Sequence, residues 1–328
     1  MPRRTFIRAA ASLALCPALT LALAQPPADG YPGKPVTIVV PFTPGQSGDV
    51  LARTLSDALT RQWGKTLVVD NKPGAGGTLG SKTASLAPAD GYTLLLGSSG
   101  PMVVAPHLYK NAGYDPRKDF TPIMNVAGVA QVLVVAADSK YRTVQDLVAA
   151  AKAAPGKLSY GSGGAGSFQH LTMEMFKQRA GIDLQHVPYK GSAPAYTDLI
   201  GGQLHALFDS QPGVVPLLQS GKVRILAVST PQRVPSLPQV PTVAESGYAG
   251  FDALGWLGIV APKGLDPAIR DRLHADLKKA LAADATKAQL ASMGMLPIAS
   301  SPDEFARTID DELVKWGAVI KAGHISLD

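Results

Sequence analysis

The residues in this chain best suited to chemistry are glycines and hydroxyls rather than acids, bases and thiols. Gly161-Ser162-Gly163-Gly164-Ala165-Gly166 fits the G-x-G-x-x-G pattern, which in a strand–loop–helix context cradles a phosphate or another anion. A dinucleotide would need an acid closing the next strand. That strand ends Val187-Pro188-Tyr189, and the nearest acid, Asp183, stands at its beginning. A cradle for a smaller anion fits better, with a purely structural turn as the alternative. Ser162 and Ser167 add hydroxyl donors, and Ser167 also has the position of a helix N-cap. A second segment of the same kind lies near the start of the chain. Val36–Pro41 is β-branched and reads as a buried strand, Pro44-Gly45-Gln46-Ser47-Gly48 as an open turn, and Asp49 leads into VLARTLSDALTRQW at helical spacing. Such a unit aims free backbone N–H groups and the positive end of a helix dipole at one point.

Other chemistries find less support. Gly45-Gln46-Ser47-Gly48-Asp49 breaks the nucleophile-elbow pattern G-x-S-x-G at its last position. The six histidines form no H-E-x-x-H or other metal spacing, so no metal site and no cofactor are expected. His170, on the first turn after the glycine loop, either donates to a ligand carboxylate or is a surface or packed histidine. Asp49 either caps its helix or faces a cleft and selects a ligand amine or hydroxyl. No base, nucleophile and orienting group form a recognisable set, which argues against an enzyme.

The elements that must position these loops alternate between strand and helix. Leu67–Val69 and Tyr92–Leu96 read as further strands of a first region. Leu158–Tyr160, Leu184–Tyr189, Leu204–Phe208 and Val223–Val228 are expected to be strands of a second region, with helices between them. Asp266-Pro267 begins a helix, and Ser301-Pro302-Asp303-Glu304 is a capping box for the last one. The fold class is therefore α/β, with mostly parallel sheets in two lobes. Residues 25–127 plus 229–328 are assigned to lobe 1 and 128–228 to lobe 2. Two chain crossings leave a cleft and a hinge between them.

The start of the chain has the layout of a secretory signal peptide. Arg3, Arg4 and Arg8 precede an apolar stretch, and Ala22-Leu23-Ala24 is an A-x-A cleavage site. Arg3-Arg4 also suits a twin-arginine signal. Cleavage of residues 1–24 would remove the single cysteine, Cys16, and lower the formal charge of +6 by its three arginines. The remaining basic residues are dispersed, which disfavours nucleic acid as a partner despite a pI near 9.3. After the signal no apolar run is long enough to span a bilayer. A periplasmic protein is expected.

The sequence also resembles a known family. YPGKPVTIVVPFTPGQSGDVLAR, NKPGAGGTLGSKTASLAPADGYTLLLGSSG, LSYGSGGAGSFQHLTMEMF, VPYKGSAPAYTDLIGGQLHALFD and LPQVPTVAESGY are similar, in order, to the Bug-type receptors, the extracytoplasmic solute-binding proteins of tripartite tricarboxylate transporters. That resemblance implies a type II periplasmic-binding-protein fold, a monomer closing on a small organic anion, and delivery to membrane transporter subunits. It implies ligand contacts from Phe42, Thr43, Pro44, Gly45, Gln46, Ser47 and Asp49. In the second lobe it implies Ser162, Gly163, Gly164, Ala165, Gly166, Ser167 and His170. Gly97, Ser98, Ser99 and Asp209 are expected to line the same cleft by analogy. The family usually reads Pro-Gly-Gly where this chain has Pro44-Gly45-Gln46, so the Gln46 side chain is expected to reach the ligand or narrow the pocket. A receptor for a signalling partner and an exported enzyme are the competing readings.

Overall fold

Two sheets, each assembled around short β-branched strands, divide the chain. The computed structural model describes residues 30–110 and 112–327; the signal-peptide pattern lies outside the described residues. In the first region β1 (Val36–Val40) is followed by α1 (Ser47–Trp63), β2 (Leu67–Asn71), α2 (Thr78–Ser85), β3 (Thr93–Ser98), α3 (Ala105–Leu108) and β4 (Phe120–Val129). In the second region β5 (Gln131–Ala136), α4 (Val144–Ala153), β6 (Ser159–Ser162), α5 (Phe168–Ala180) and β7 (Gln185–Pro188) come first. They are followed by α6 (Ser192–Ile200), β8 (Ala206–Ser210), α7 (Gln211–Gln219) and β9 (Val223–Val228). The chain then returns through β10 (Gly255–Pro262), α8 (Pro267–Ala282), α9 (Asp284–Ser292), β11 (Met295–Pro297) and α10 (Pro302–Ala322).

The six-stranded sheet runs β11-β4-β10-β3-β1-β2 and the five-stranded one β7-β6-β8-β5-β9. Most strands of each sheet share one direction, as expected, with reversed strands among them. β1 is parallel to β2 and β3, and β6 to β7 and β8, but β10 is antiparallel to both its neighbours and so is β5. These two reversed inner strands are the ones that receive the chain after it crosses between sheets. Each enters without the crossover helix that would return it to the common direction.

The helices follow from the apolar spacing. Leu51, Leu55 and Leu59 of α1 and Ile269, Leu273 and Leu277 of α8 are buried in one core on the first sheet. A second core, with Val132, Val134 and Leu207, belongs to the other sheet. The third joins the two: Val39 and Leu95 share it with Tyr160 and Phe208, and Trp316 of α10 lies within it. Trp316 meets Phe168 of α5 edge-on at 4.9 Å, so α10 braces both lobes from behind.

The crossings are tied at Ser229, which is fully buried. Its hydroxyl accepts the Gln131 N–H at 3.1 Å and donates to the Ala253 carbonyl at 2.8 Å. Among the described residues no helix is long and apolar enough to cross a membrane.

Candidate functional site

A cavity of about 1090 Å³ lies between the sheets, and both glycine loops open onto it. From the first loop Phe42, Thr43, Gly45, Gln46 and Ser47 line it, and from the second Gly163, Gly164, Ala165, Gly166 and Ser167. Ser98, Ser99 and Asp209 line it as well. Pro44, Asp49, Gly97, Ser162 and His170 stand off the wall. None of the lining residues is Lys, Arg or His.

The donors are mainly backbone groups. Among the described residues, the amides of Ser47 and Gly48 at the start of α1 and of Gly163 and Ala165 in the second loop have no acceptor within the protein. Neither do the first amides of α5, at Phe168 and Gln169. These are the groups a helix leaves unsatisfied at its amino end. The hydroxyls of Thr43, Ser47, Ser98 and Ser192 make no bond within the described protein either. A carboxylate or similar anion can thus be held by amides and hydroxyls in a site to which, among the described residues, no cationic side chain contributes.

The structure also starts two of the expected helices earlier in the chain and opens them onto the cavity. Ser192 and Ala193 open α6 onto the cavity, and Ser210, Pro212 and Gly213 do the same for α7. The available signal was proline in the first turn, at Pro194 and Pro212, a position suited to helix starts. The Gly191 N–H donates to the Gly163 carbonyl at 3.2 Å, which ties the α6 start to the glycine loop. Gln131, where β5 begins, also lines the wall, and its Oε1 is buried without a partner.

The two acids brace these starts. Asp209 is buried and accepts from Gln169 Nε2 at 3.0 Å, Tyr196 Oη at 2.8 Å and the Ser210 N–H at 2.7 Å. One carboxylate therefore fixes α5, α6 and α7 relative to one another. Burial, reinforced by Asp209, holds the Tyr196 phenol protonated, well above its ordinary range. Asp49 neither serves as the N-cap, which is Gln46, nor faces the cavity. It accepts from the Gly45 N–H at 2.8 Å, Arg53 Nε at 3.0 Å and Asn71 Nδ2 at 2.9 Å. The Arg53 guanidinium, assisted by Gly45 and Asn71 against the effect of burial, lowers its carboxyl to about 2. In place of the two roles expected for it, it holds the first loop to α1 and β2.

His170 and Ser162 are likewise drawn into the protein. His170 is buried, and its Nδ1 accepts the Gly166 N–H at 3.0 Å. The Ser162 hydroxyl bonds Gly164 and lies 2.7 Å from His186 Nε2. Ser167 caps α5 through the His170 N–H at 3.3 Å, as its position indicated. Ser99 Oγ accepts the N–H of Trp256, an aromatic wall residue, at 2.9 Å. The indole N–H of Trp256 is in turn held by buried Glu312 at 2.7 Å.

Comparison with known proteins identifies the family. Residues 51–325 match the family described as the tripartite tricarboxylate transporter family receptor. The chain belongs to that family. Among relatives of this receptor, Protein BugT of Bordetella pertussis is 39% identical over 295 residues, covering 90% of each chain. The solved structure of R. palustris Rpa4515 with adipate is 36% identical with a TM-score of 0.81, covering 90% of this chain and 100% of that one. MatC from Rhodopseudomonas palustris with bound malate is 29% identical with a TM-score of 0.76, covering 88% of this receptor and 100% of MatC. The two-lobe type II periplasmic-binding fold is shared with these proteins.

Proposed function

We propose that this receptor holds a small mono- or dicarboxylate between its lobes, outside the cytoplasmic membrane, and passes it to the membrane subunits of a tripartite tricarboxylate transporter. The observation that carries this reading is a single cavity faced by four helix amino ends and two glycine loops, with no cationic side chain among the described residues that line it. The bound adipate and malate of the two relatives support it. The lobes are residues 25–127 with 229–328, and 128–228, and the crossings beside Ser229 serve as the hinge. The protein acts as a monomeric binder without turnover, exported by the signal at residues 1–24.

The energetics require closure. Each helix end contributes about 0.3–1 kcal/mol, up to about 2 when partly buried, and micromolar affinity needs about 8 kcal/mol. Burial of the ligand's carbon chain against walls such as Phe42 and Trp256 must supply much of the rest. The test is a thermal-shift and calorimetric screen of adipate, malate and related acids. A true ligand at about 100 times its Kd adds about 2.7 kcal/mol of stability, with one site per chain and no product formed. Failure of every carboxylate, or turnover of one, overturns the reading. Gln46 is exposed on the cavity rim, and its side chain makes no cap bond. Gln46→Gly should therefore leave stability nearly unchanged and alter the ranking of acids in the same screen.

A further inference from the structure

Behind the second glycine loop lies a polar cluster, buried except for the half-buried His186, that anion binding does not itself require. His170 and His186 stack face to face, with centroids 3.8 Å apart and planes 6° from parallel. Tyr160 stacks on the same pair, 4.9 Å from His186. Both imidazoles reach the loop, but they are not equivalent. The Ser162 oxygen is shared among His186 Nε2, the Gly164 carbonyl and the Gly164 N–H, so either neutral tautomer of His186 completes that contact. His170 has one option. Its Nδ1 accepts the Gly166 N–H, and that nitrogen must carry no proton.

The loop cannot readily turn away from this acceptor. Gly166 has φ +73°, and a Cβ built there would stand 2.6 Å from Leu108 and 2.9 Å from Leu327. It is wedged between α3 of the first lobe and the C-terminal tail. A proton on His170 Nδ1 would set two N–H groups against each other at a residue held on its other side.

Among the described residues, the one acid in the cluster is already paired. Glu174, the acid of the cluster, is already engaged by Tyr160 Oη at 2.5 Å and Lys177 Nζ at 2.8 Å. Lys177 adds a positive charge on the same helix, and His186 stands where a second would arise. Burial first, then Lys177, lowers His170 to about 4. Burial, His170 and Lys177 lower His186 to about 4 against the opposing pull of Glu174.

We propose that His170, with His186 stacked on it, is the positioning residue of the glycine loop and makes solute affinity fall in acid. The affinity part rests on the reading of this loop as one jaw of the solute site. Above the transition the loop keeps its amides aimed at the cavity; below it the Gly166 N–H loses its acceptor and the loop shifts.

The test uses the mature protein labelled with ¹⁵N-glycine and followed by NMR as the pH is lowered. The Gly166 amide signal should move through one transition near pH 4, before the rest of the spectrum unfolds. His170→Asn keeps an oxygen near the Nδ1 position but cannot take up the proton there, and its Gly166 signal should stay flat; Gly164, which reaches His186 through Ser162, still follows that second imidazole. His170→Phe, with no acceptor, should show a displaced Gly166 signal at neutral pH. With adipate as probe, affinity should fall about fourfold more in the wild type than in His170→Asn half a unit below the midpoint. Comparing the two proteins cancels protonation of adipate itself. A Gly166 signal that does not titrate, titrates equally in His170→Asn, or moves only with global unfolding overturns the proposal. So does an equal fall of affinity in the two proteins. A titrating Gly166 signal in a protein that binds no adipate counts against adipate as the solute and leaves the positioning role standing.

Discussion

Two aspartates sit beside the loops that line the cavity, and each directs its charge to groups of the protein. Asp49 gathers Gly45, Arg53 and Asn71, and Asp209 gathers Gln169, Tyr196 and Ser210. Satisfied in this way, an acid can stand at an anion site and organise donors instead of repelling the ligand. Asp49→Ala should cost about 2 kcal/mol in urea unfolding at neutral pH, because charged hydrogen bonds are lost and the Gly45 amide and Asn71 amide lose their acceptor. The sign of its pH dependence follows from the lowered carboxyl. Asp49 stabilises the fold fully above its ordinary 3.8, and the contribution is lost as pH falls through about 2. The wild type should therefore lose its advantage over the alanine variant in that window. A constant difference between them down to acid would refute the assignment.

At the scale of elements, α10 carries the heaviest duty. Its capping box is complete: Ser301 Oγ accepts the Glu304 N–H at 3.2 Å, and Glu304 accepts the Ser301 N–H at 2.8 Å. Ser301→Ala should cost about 1 kcal/mol, read as a lowered denaturation midpoint at unchanged m-value; no loss would mean the helix start is held by packing alone. This box was legible in four consecutive residues, as were both glycine loops, α1 and the Ser167 cap, because local spacing determines them. What escaped the sequence depends on distant chain. Asp49 was seen as an acid at a helix start, yet Asn71, which helps decide its role, comes from β2. His170, on the first turn of α5, and His186, on β7, are separated by the rest of that helix and meet only because β7 returns beside β6. The starts of α6 and α7 rest on single prolines, and the three-residue β11 is recognisable only through its pairing with β4. Strand direction was hidden for the same reason, since alternation of elements says nothing about where a crossing chain enters a sheet.

For the molecule as a whole, the shared core beneath α10 makes the lobes interdependent. Val39 and Leu95 pack in the same cluster as Phe176 and Phe208, so neither lobe can lose its packing without exposing the other. Scanning calorimetry without ligand should show one transition with matching calorimetric and van't Hoff enthalpies. Two separable transitions would show that the lobes unfold independently. The sheet order also governs the birth of the protein. The five-stranded sheet uses chain only from Gln131 to Val228, whereas β10 lies inside the other sheet, between β3 and β4. A chain threaded through a pore from its first residue onward can finish the later sheet before the earlier one. Until its last quarter emerges, β3 and β4 keep open edges able to pair with other chains. During that interval the nascent receptor depends on whatever shields those edges.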